Sequence, residues 1–356
     1  MRPSEPRGPL PRPDYARLTR YSPDRRPVPV DLSDNTNLWG THPAALAAIR
    51  TAGENDLARY PHLYADDLRA AVARLHAVDA EQVATGCGSD DVLDSLWRAL
   101  AEDGGRIRYA SPTFSMVEPL SQMNGREALP VAWSRALADP RRLLEDSPVM
   151  VYVCRPNNPT GHLAPLDWIE ALLDEVGESG PVVLFDEAYA DFSGETLIPR
   201  VVEHPRAIVV RTLSKAYGLA GLRVGYGVGS TELIAEVEKS RGPYKVNRLA
   251  ESAACAALAD EEGWVTRTIA ECVENRERLV AELRARGASP LPSATNFVLI
   301  PLDADTARTT ALALREHGVA VRPFPDCLDV GDAVRVTVGP WPLMERFLDA
   351  WDALDR

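Results

Sequence analysis

One stretch constrains this chain more than any other: Val209-Val210-Arg211-Thr212-Leu213-Ser214-Lys215-Ala216-Tyr217-Gly218-Leu219-Ala220-Gly221-Leu222-Arg223-Val224-Gly225-Tyr226. It reads as a short apolar run, a hydroxyl-bearing turn around a single lysine, a patch of Ala and Gly, and an arginine at the edge of a second apolar run. A lone lysine is usually a solvated surface charge. Between Ser214 and small residues, beside strand-like sequence, an amine is instead partly desolvated; its pKa falls and it becomes a Schiff-base nucleophile. Thr212, Ser214 and Arg223 add two hydroxyls and a guanidinium, the donors that a phosphate dianion takes.

An amine of that kind beside a phosphate site suggests pyridoxal phosphate (PLP). Ser214-Lys215-Ala216-Tyr217-Gly218 with Leu222-Arg223-Val224-Gly225-Tyr226 resembles the cofactor-lysine signature of fold-type I PLP enzymes, in the histidinol-phosphate aminotransferase branch of the class I/II aminotransferases. The resemblance implies an α/β fold of the fold-type I PLP transferase kind. Its large domain holds a mostly parallel mixed sheet flanked by helices, and a smaller α/β domain accompanies it. The expected division is an N-terminal arm over 1–30, a large PLP-binding domain over 31–245 and a small C-terminal domain over 246–356.

Length and composition agree with such a body. The chain has 356 residues, room for a large domain and a companion, with 45% hydrophobic and 26% charged residues. A net charge of -13 argues against a general nucleic-acid or anionic-membrane binder, while leaving space for a local basic pocket. The five cysteines are scattered, without a CxxC pair or metal-ligand spacing, and read as buried thiols in a reducing cytosol. No run approaches the ~20 apolar residues of a membrane helix and no signal-peptide core opens the sequence. A cytoplasmic protein is expected.

Residues 1–30, rich in Pro and Arg, read as a poorly ordered leader that becomes an extended arm. Within it Leu18-Thr19-Arg20-Tyr21 resembles a family segment whose tyrosine, here Tyr21, reaches the substrate phosphate. Asp31 to Gly40 sits where relatives write Asn-Glu-Asn-Pro-Tyr-Gly. Thr36, Leu38 and Trp39 replace Glu, Pro and Tyr, and Asn37 becomes a substrate-contact candidate. Arg59-Tyr60-Pro61 alone is an extended turn with a packing tyrosine. By resemblance, Tyr60 crosses a dimer interface to the neighbouring subunit's cofactor phosphate, which implies a homodimer with shared sites. Asp66 to His76 reads as an amphipathic helix with Leu68, Ala71, Val72 and Leu75 on one stripe.

Thr85-Gly86-Cys87-Gly88-Ser89-Asp90-Asp91 is a Gly-rich turn opening a helix that carries Val92, Leu93, Leu96, Trp97 and Leu100. Such a turn is often only a capped helix start, but its amides can also bind phosphate. The resemblance assigns that role to the amides of Ser89 and Asp90, with Cys87 where relatives have Asn. Phe114, after Pro112-Thr113, takes the place of the aromatic that stacks on the cofactor ring.

Val149 to Cys154 reads as a buried strand feeding the turn Asn157-Asn158-Pro159-Thr160-Gly161, and Pro181 to Phe185 as another delivering Asp186-Glu187-Ala188-Tyr189. Acidic residues at the ends of parallel strands occupy the site edge of α/β sheets. The resemblance gives Asn158 and Tyr189 the cofactor's 3-oxygen, and Asp186 the pyridine nitrogen, which it keeps protonated.

Gly242 to Asn247 resembles the family's link between domains, with Lys245 in place of Asn. Residues 251–286 read as largely helical, followed by a strand to Ile300 and a helix to His317. The last strands carry Arg322 and Arg335. The resemblance gives Arg335 the amino acid's carboxylate and Arg322 a share of the substrate phosphate. After Gly339, Pro340-Trp341-Pro342 stands where relatives have a small hydroxyl residue.

The expected reaction moves an amino group between an amine, histidinol phosphate being favoured, and a 2-oxo acid such as 2-oxoglutarate. Lys215 is the base, with Asp186 and Tyr189 as its catalytic companions. Two other readings stay open. One is a specialised-metabolism paralogue acting on another amino acid, including a decarboxylase. The other is a non-catalytic PLP-binding regulator, which requires a fused DNA-binding domain for which the short arm has no room.

Overall fold

The computed structural model describes residues 15, 18, 19, 22, 24, 26–100 and 104–354. Among them twelve strands form three sheets. In chain order they are β1 (Val30–Asp31), β2 (Val83–Cys87), β3 (Arg106–Ser111), β4 (Glu127–Ala132), β5 (Met150–Cys154) and β6 (Val182–Asp186). Then follow β7 (Ala207–Thr212), β8 (Val224–Gly229), β9 (Phe297–Pro301), β10 (Val319–Ala320), β11 (Arg322–Cys327) and β12 (Gly331–Thr337).

The main sheet has seven strands in the order β2-β8-β7-β6-β5-β3-β4. Only β8 runs against its neighbours, so the other six strands end at one edge and β8 begins there. Strands β5 to β8 are buried along their whole length, which is why they read as near-continuous apolar runs. Alternate side chains serve two cores. Tyr152, Leu184, Ile208 and Val210 meet Leu93, Leu96 and Trp97 of helix Ser89–Leu100 and Ile234 of helix Thr231–Ser240. Val151, Val183, Phe185 and Val209 face the other core, with Ile169, Leu172, Ala250 and Leu279.

Helix Asp66–His76 forms as its apolar stripe predicts, burying Leu68, Ala71 and Val72. Leu75, expected on the same stripe, is 44% exposed, because that end of the helix borders a groove with Leu258 and Ala259. The helical span after the link divides into Arg248–Ala259, capped by Asn247 through its side chain, and Trp264–Ala285. Pro340-Trp341-Pro342 opens helix Trp341–Asp352, whose first turn accommodates proline.

The second sheet is antiparallel, in the order β11-β12-β9. Close by, β1 pairs in parallel with β10, and the Thr337 amide donates to the Leu32 carbonyl at 2.9 Å. The front of the chain is thereby tied to its C-terminal part, and the loop after β1 is laid across the end of the main sheet.

Candidate active site

The shared strand edge of the main sheet assembles a cavity of ≈ 420 Å³. The chain leaving β2 brings Ser89 and Asp90, that leaving β3 brings Phe114, and that leaving β5 brings Asn158. Asp186 closes β6 and Tyr189 follows it. Thr212 closes β7, with Ser214 and Lys215 just beyond, and Arg223 precedes β8. The opposite wall carries Arg322 and Phe324 of β11, Arg335 of β12, and Asp34 to Thr36. Twelve of the fifteen residues singled out from the sequence thus line one cavity.

Two of the other three lie elsewhere. Tyr60 is 77% exposed and stacks on Tyr244 with ring centres 4.7 Å apart. Asn37 does not line the cavity: its Nδ2 donates to the Ala216 carbonyl at 2.9 Å and its Oδ1 accepts from the Trp39 amide. It braces the loop, and Asn35 occupies the lining instead. Tyr21 lies outside the described residues.

One end of the cavity is a cup of donors. Thr212 Oγ1 donates to Ser214 Oγ at 2.9 Å, and Arg223 approaches both Ser214 Oγ (3.4 Å) and Asp90 Oδ2 (3.2 Å). The first amides of helix Ser89–Leu100 have no intrahelical acceptor and carry the positive end of the helix dipole. Two glycines permit this closeness. A Cβ on Gly88 would sit 2.4 Å from Arg223 Nη2, and one on Gly225 would sit 2.3 Å from the Ser89 backbone nitrogen.

At the cavity floor Asp186 is 4% exposed. Burial pushes its carboxyl up to about 6, against hydrogen bonds from the Tyr152 hydroxyl at 2.6 Å and the Ala188 amide at 3.0 Å. Tyr189 is also buried, which raises its pKa, and its hydroxyl accepts from Asn35 Nδ2 at 3.0 Å. Lys215 Nζ donates to the Asp34 carbonyl at 3.1 Å. Burial, aided by the positive Arg335, lowers its pKa from 10.5 to about 8.

Arg335 reaches across the cavity to Asn158 Oδ1 and to the Ser33 carbonyl at 2.8 Å. Because a guanidinium only donates, this contact fixes the Asn158 amide with Nδ2 as its donor end. The Arg335 guanidinium lies 5.2 Å from the Phe297 ring and 5.4 Å from the Phe324 ring. Arg322 is its direct cross-strand partner, so two cations share one face of the second sheet at the cavity wall.

Three participants escaped the sequence reading. Tyr152 had a visible signal, as the one phenol in an apolar strand, and Asn35 stood in the same family-like segment as Asn37; Phe324 had none, because its place at the cavity depends on strand pairing.

The residues present fit PLP. The hydroxyl, guanidinium and amide cup suits a phosphate, the buried Asp186 suits a ring nitrogen, and Lys215 is an amine of lowered basicity within the same cavity. Comparison with known proteins agrees. The model of the family "Aminotransferase class I and II" matches residues 27–350. A histidinol-phosphate aminotransferase 2 of Thiobacillus denitrificans is 35% identical over 95% of both chains. An aromatic amino acid aminotransferase of Thermobifida fusca is 38% identical over 90% of both. Among solved structures, the histidinol-phosphate aminotransferase of Sinorhizobium meliloti in complex with pyridoxal-5'-phosphate superposes with a TM-score of 0.88 at 26% identity, covering 95% of each chain.

Proposed function

Because this chain belongs to the class I and II aminotransferase family, as a fold-type I PLP-dependent enzyme, we propose that it exchanges an amino group between histidinol phosphate and a 2-oxo acid such as 2-oxoglutarate. The observation that carries the choice of substrate is the cross-strand pair Arg322 and Arg335 on the cavity wall facing Lys215. Like charges directly opposite on a sheet repel, and an anion between them removes that cost. Phosphate and carboxylate are both oxyanions that a guanidinium fork accepts, so one pair of arginines serves both half-reactions.

When bound, PLP supplies a carbonyl that takes up the amine and a protonated ring that accepts the electron pair of the substrate carbon. The protein's residues do the rest. Thr212, Ser214, Arg223 and the amides of Ser89 and Asp90 hold the phosphate, and Phe114 covers the ring. Asn158 and Tyr189 donate to the 3-oxygen, and Asp186 keeps the ring nitrogen protonated. Lys215, whose basicity burial lowers, takes a proton at the substrate carbon and returns it on the other side of the exchange.

The test is one half-reaction followed by absorbance. Holoenzyme mixed with histidinol phosphate should lose the absorbance of lysine-bound PLP and regain it with 2-oxoglutarate. No response to histidinol phosphate, with full conversion by another amine, would overturn the substrate assignment. Aromatic amino acids are the second reading, favoured by Phe114 and Phe324 on the cavity lining and by the Thermobifida relative.

We further infer a homodimer with shared sites. Leu57, Tyr60, Leu63 and Tyr244 are exposed large hydrophobic residues, with Leu57 at 72%, and the Tyr244 amide donates to the Leu63 carbonyl, so the second pair is drawn into one patch. All five cysteines are free, which supports a cytoplasmic setting; Cys154, Cys272 and Cys327 are buried, whereas Cys255 is only partly so and Cys87, at the end of β2 before helix Ser89–Leu100, is exposed.

A further inference from the structure

The middle of β5 carries a residue out of keeping with its neighbours. Met150, Val151, Val153 and Cys154 are apolar, whereas Tyr152 brings a phenol into a site with 0% exposure. It sits between β3, where it pairs with Tyr109, and β6, where it pairs with Leu184, and its ring packs 6.1 Å from that of Trp97. A phenylalanine would fill the same space without the cost of burying a hydroxyl. The hydroxyl donates to Asp186 Oδ2 at 2.6 Å, with the Cys154 thiol of the same strand also beside it.

A hydrogen bond that short between a phenol and a carboxylate is of the strong, charge-assisted kind. Asp186 Oδ1 accepts from the Ala188 amide at the same time. Donors from two different segments therefore hold the two carboxylate oxygens and fix the plane of the group. The other ionisable groups that act on Asp186 are Asp90 at the helix start, Lys215 beyond β7, Tyr189 beyond β6, and Cys154 on β5. Asp90 disfavours the anion and Lys215 favours it, both through space, whereas Tyr152 contacts the carboxylate directly.

We propose that Tyr152 is a positioning residue for the reaction, clamping Asp186 in orientation and holding it anionic behind the cofactor ring. The inference rests on Asp186 being the partner of the ring nitrogen. The burial that drives the Asp186 carboxyl up to about 6 would drive it further without the phenol, whose hydrogen bond acts in the opposite direction. A protonated Asp186 cannot keep the ring nitrogen charged. Tyr152 would thus extend toward acid the pH range in which the apoprotein takes up PLP, without touching substrate or cofactor.

Tyr152→Phe deletes one oxygen and adds no atom, and the thermal melt of the apoprotein monitors its fold. Apoprotein is titrated with PLP across pH, and kcat and KM of the loaded enzyme are recorded. The variant should bind PLP about tenfold more weakly and lose about tenfold in kcat with little change in KM. The acid limb of its PLP-binding profile should move up by about one pH unit. In an Asp186→Ala background the same substitution should change PLP affinity less than twofold, since the phenol acts through the carboxylate. A folded Tyr152→Phe with wild-type PLP affinity and acid limb would overturn the proposal, as would an equal loss in both backgrounds. Failure of the wild-type apoprotein to take up PLP would instead overturn the reading of the cavity itself.

Discussion

The two ends of the cavity are built differently. The cofactor end is the shared strand edge of one seven-stranded sheet, with its groups already bonded to each other: Thr212 to Ser214, Arg223 to Asp90, Tyr152 to Asp186. Gly88 and Gly225 leave no space there for a side chain. The substrate end comes from the second sheet and from the loop after β1, where Thr36, Leu38 and Trp39 depart from the family pattern. Chemistry common to a family is carried where buried register permits one arrangement; at the proposed substrate end a register-fixed arginine pair is joined by a loop that tolerates change.

The comparison can be broken first at Lys215. Lys215→Ala should reduce turnover by about 10⁴-fold and abolish the absorbance of lysine-bound PLP, read by stopped-flow and a static spectrum. A variant that kept the band would remove the cofactor end from this account. Gly225→Ala comes next. Its Cβ would meet the Ser89 nitrogen at 2.3 Å and the Gly88 carbonyl carbon at 2.4 Å, so the backbone of the phosphate cup must move. Overpacking of about 1–3 kcal/mol corresponds to a roughly 5- to 150-fold rise in the Kd for PLP. An unchanged Kd would mean that the cup is not where the phosphate binds.

The smallest effect is one of pH. Only the neutral amine of Lys215 attacks a carbonyl, and its pKa is lowered to about 8. The rate of PLP capture by apoprotein should therefore rise with pH up to about 8 and level off above it, with about one-tenth of the lysine neutral at pH 7. A plateau already reached at pH 6.5, or a rise continuing to pH 10, would show that burial and Arg335 do not tune this amine as described.

Much of this was legible in the sequence because each motif follows a strand of simple pattern. The apolar runs before Asn158, Asp186 and Lys215 are buried strands, and parallel pairing brings their ends to one edge whatever the details of the helices. Asn37 shows where such reading stops. Asn35 and Asn37 look alike in the segment Asp34 to Asn37, and only the fold decides that Asn35 faces Tyr189 while Asn37 braces Ala216 and Trp39. Leu75 is similar: its place on the helical stripe was right, but its exposure depends on a groove formed with residues nearly two hundred positions away. The direct opposition of Arg322 and Arg335 is likewise a matter of register, which their spacing of thirteen residues does not reveal.

The division of labour within the cavity is tested most directly by Arg322→Ala, measured in parallel for PLP binding to apoprotein and for the KM of histidinol phosphate. Arg322 lines the substrate end and pairs across the sheet with Arg335, away from the donor cup. The account predicts a PLP Kd within about twofold of wild type and a KM raised about tenfold or more, the loss of one charge-assisted contact to an oxyanion. A variant whose PLP affinity fell in step with its KM, or whose KM did not change, would contradict it.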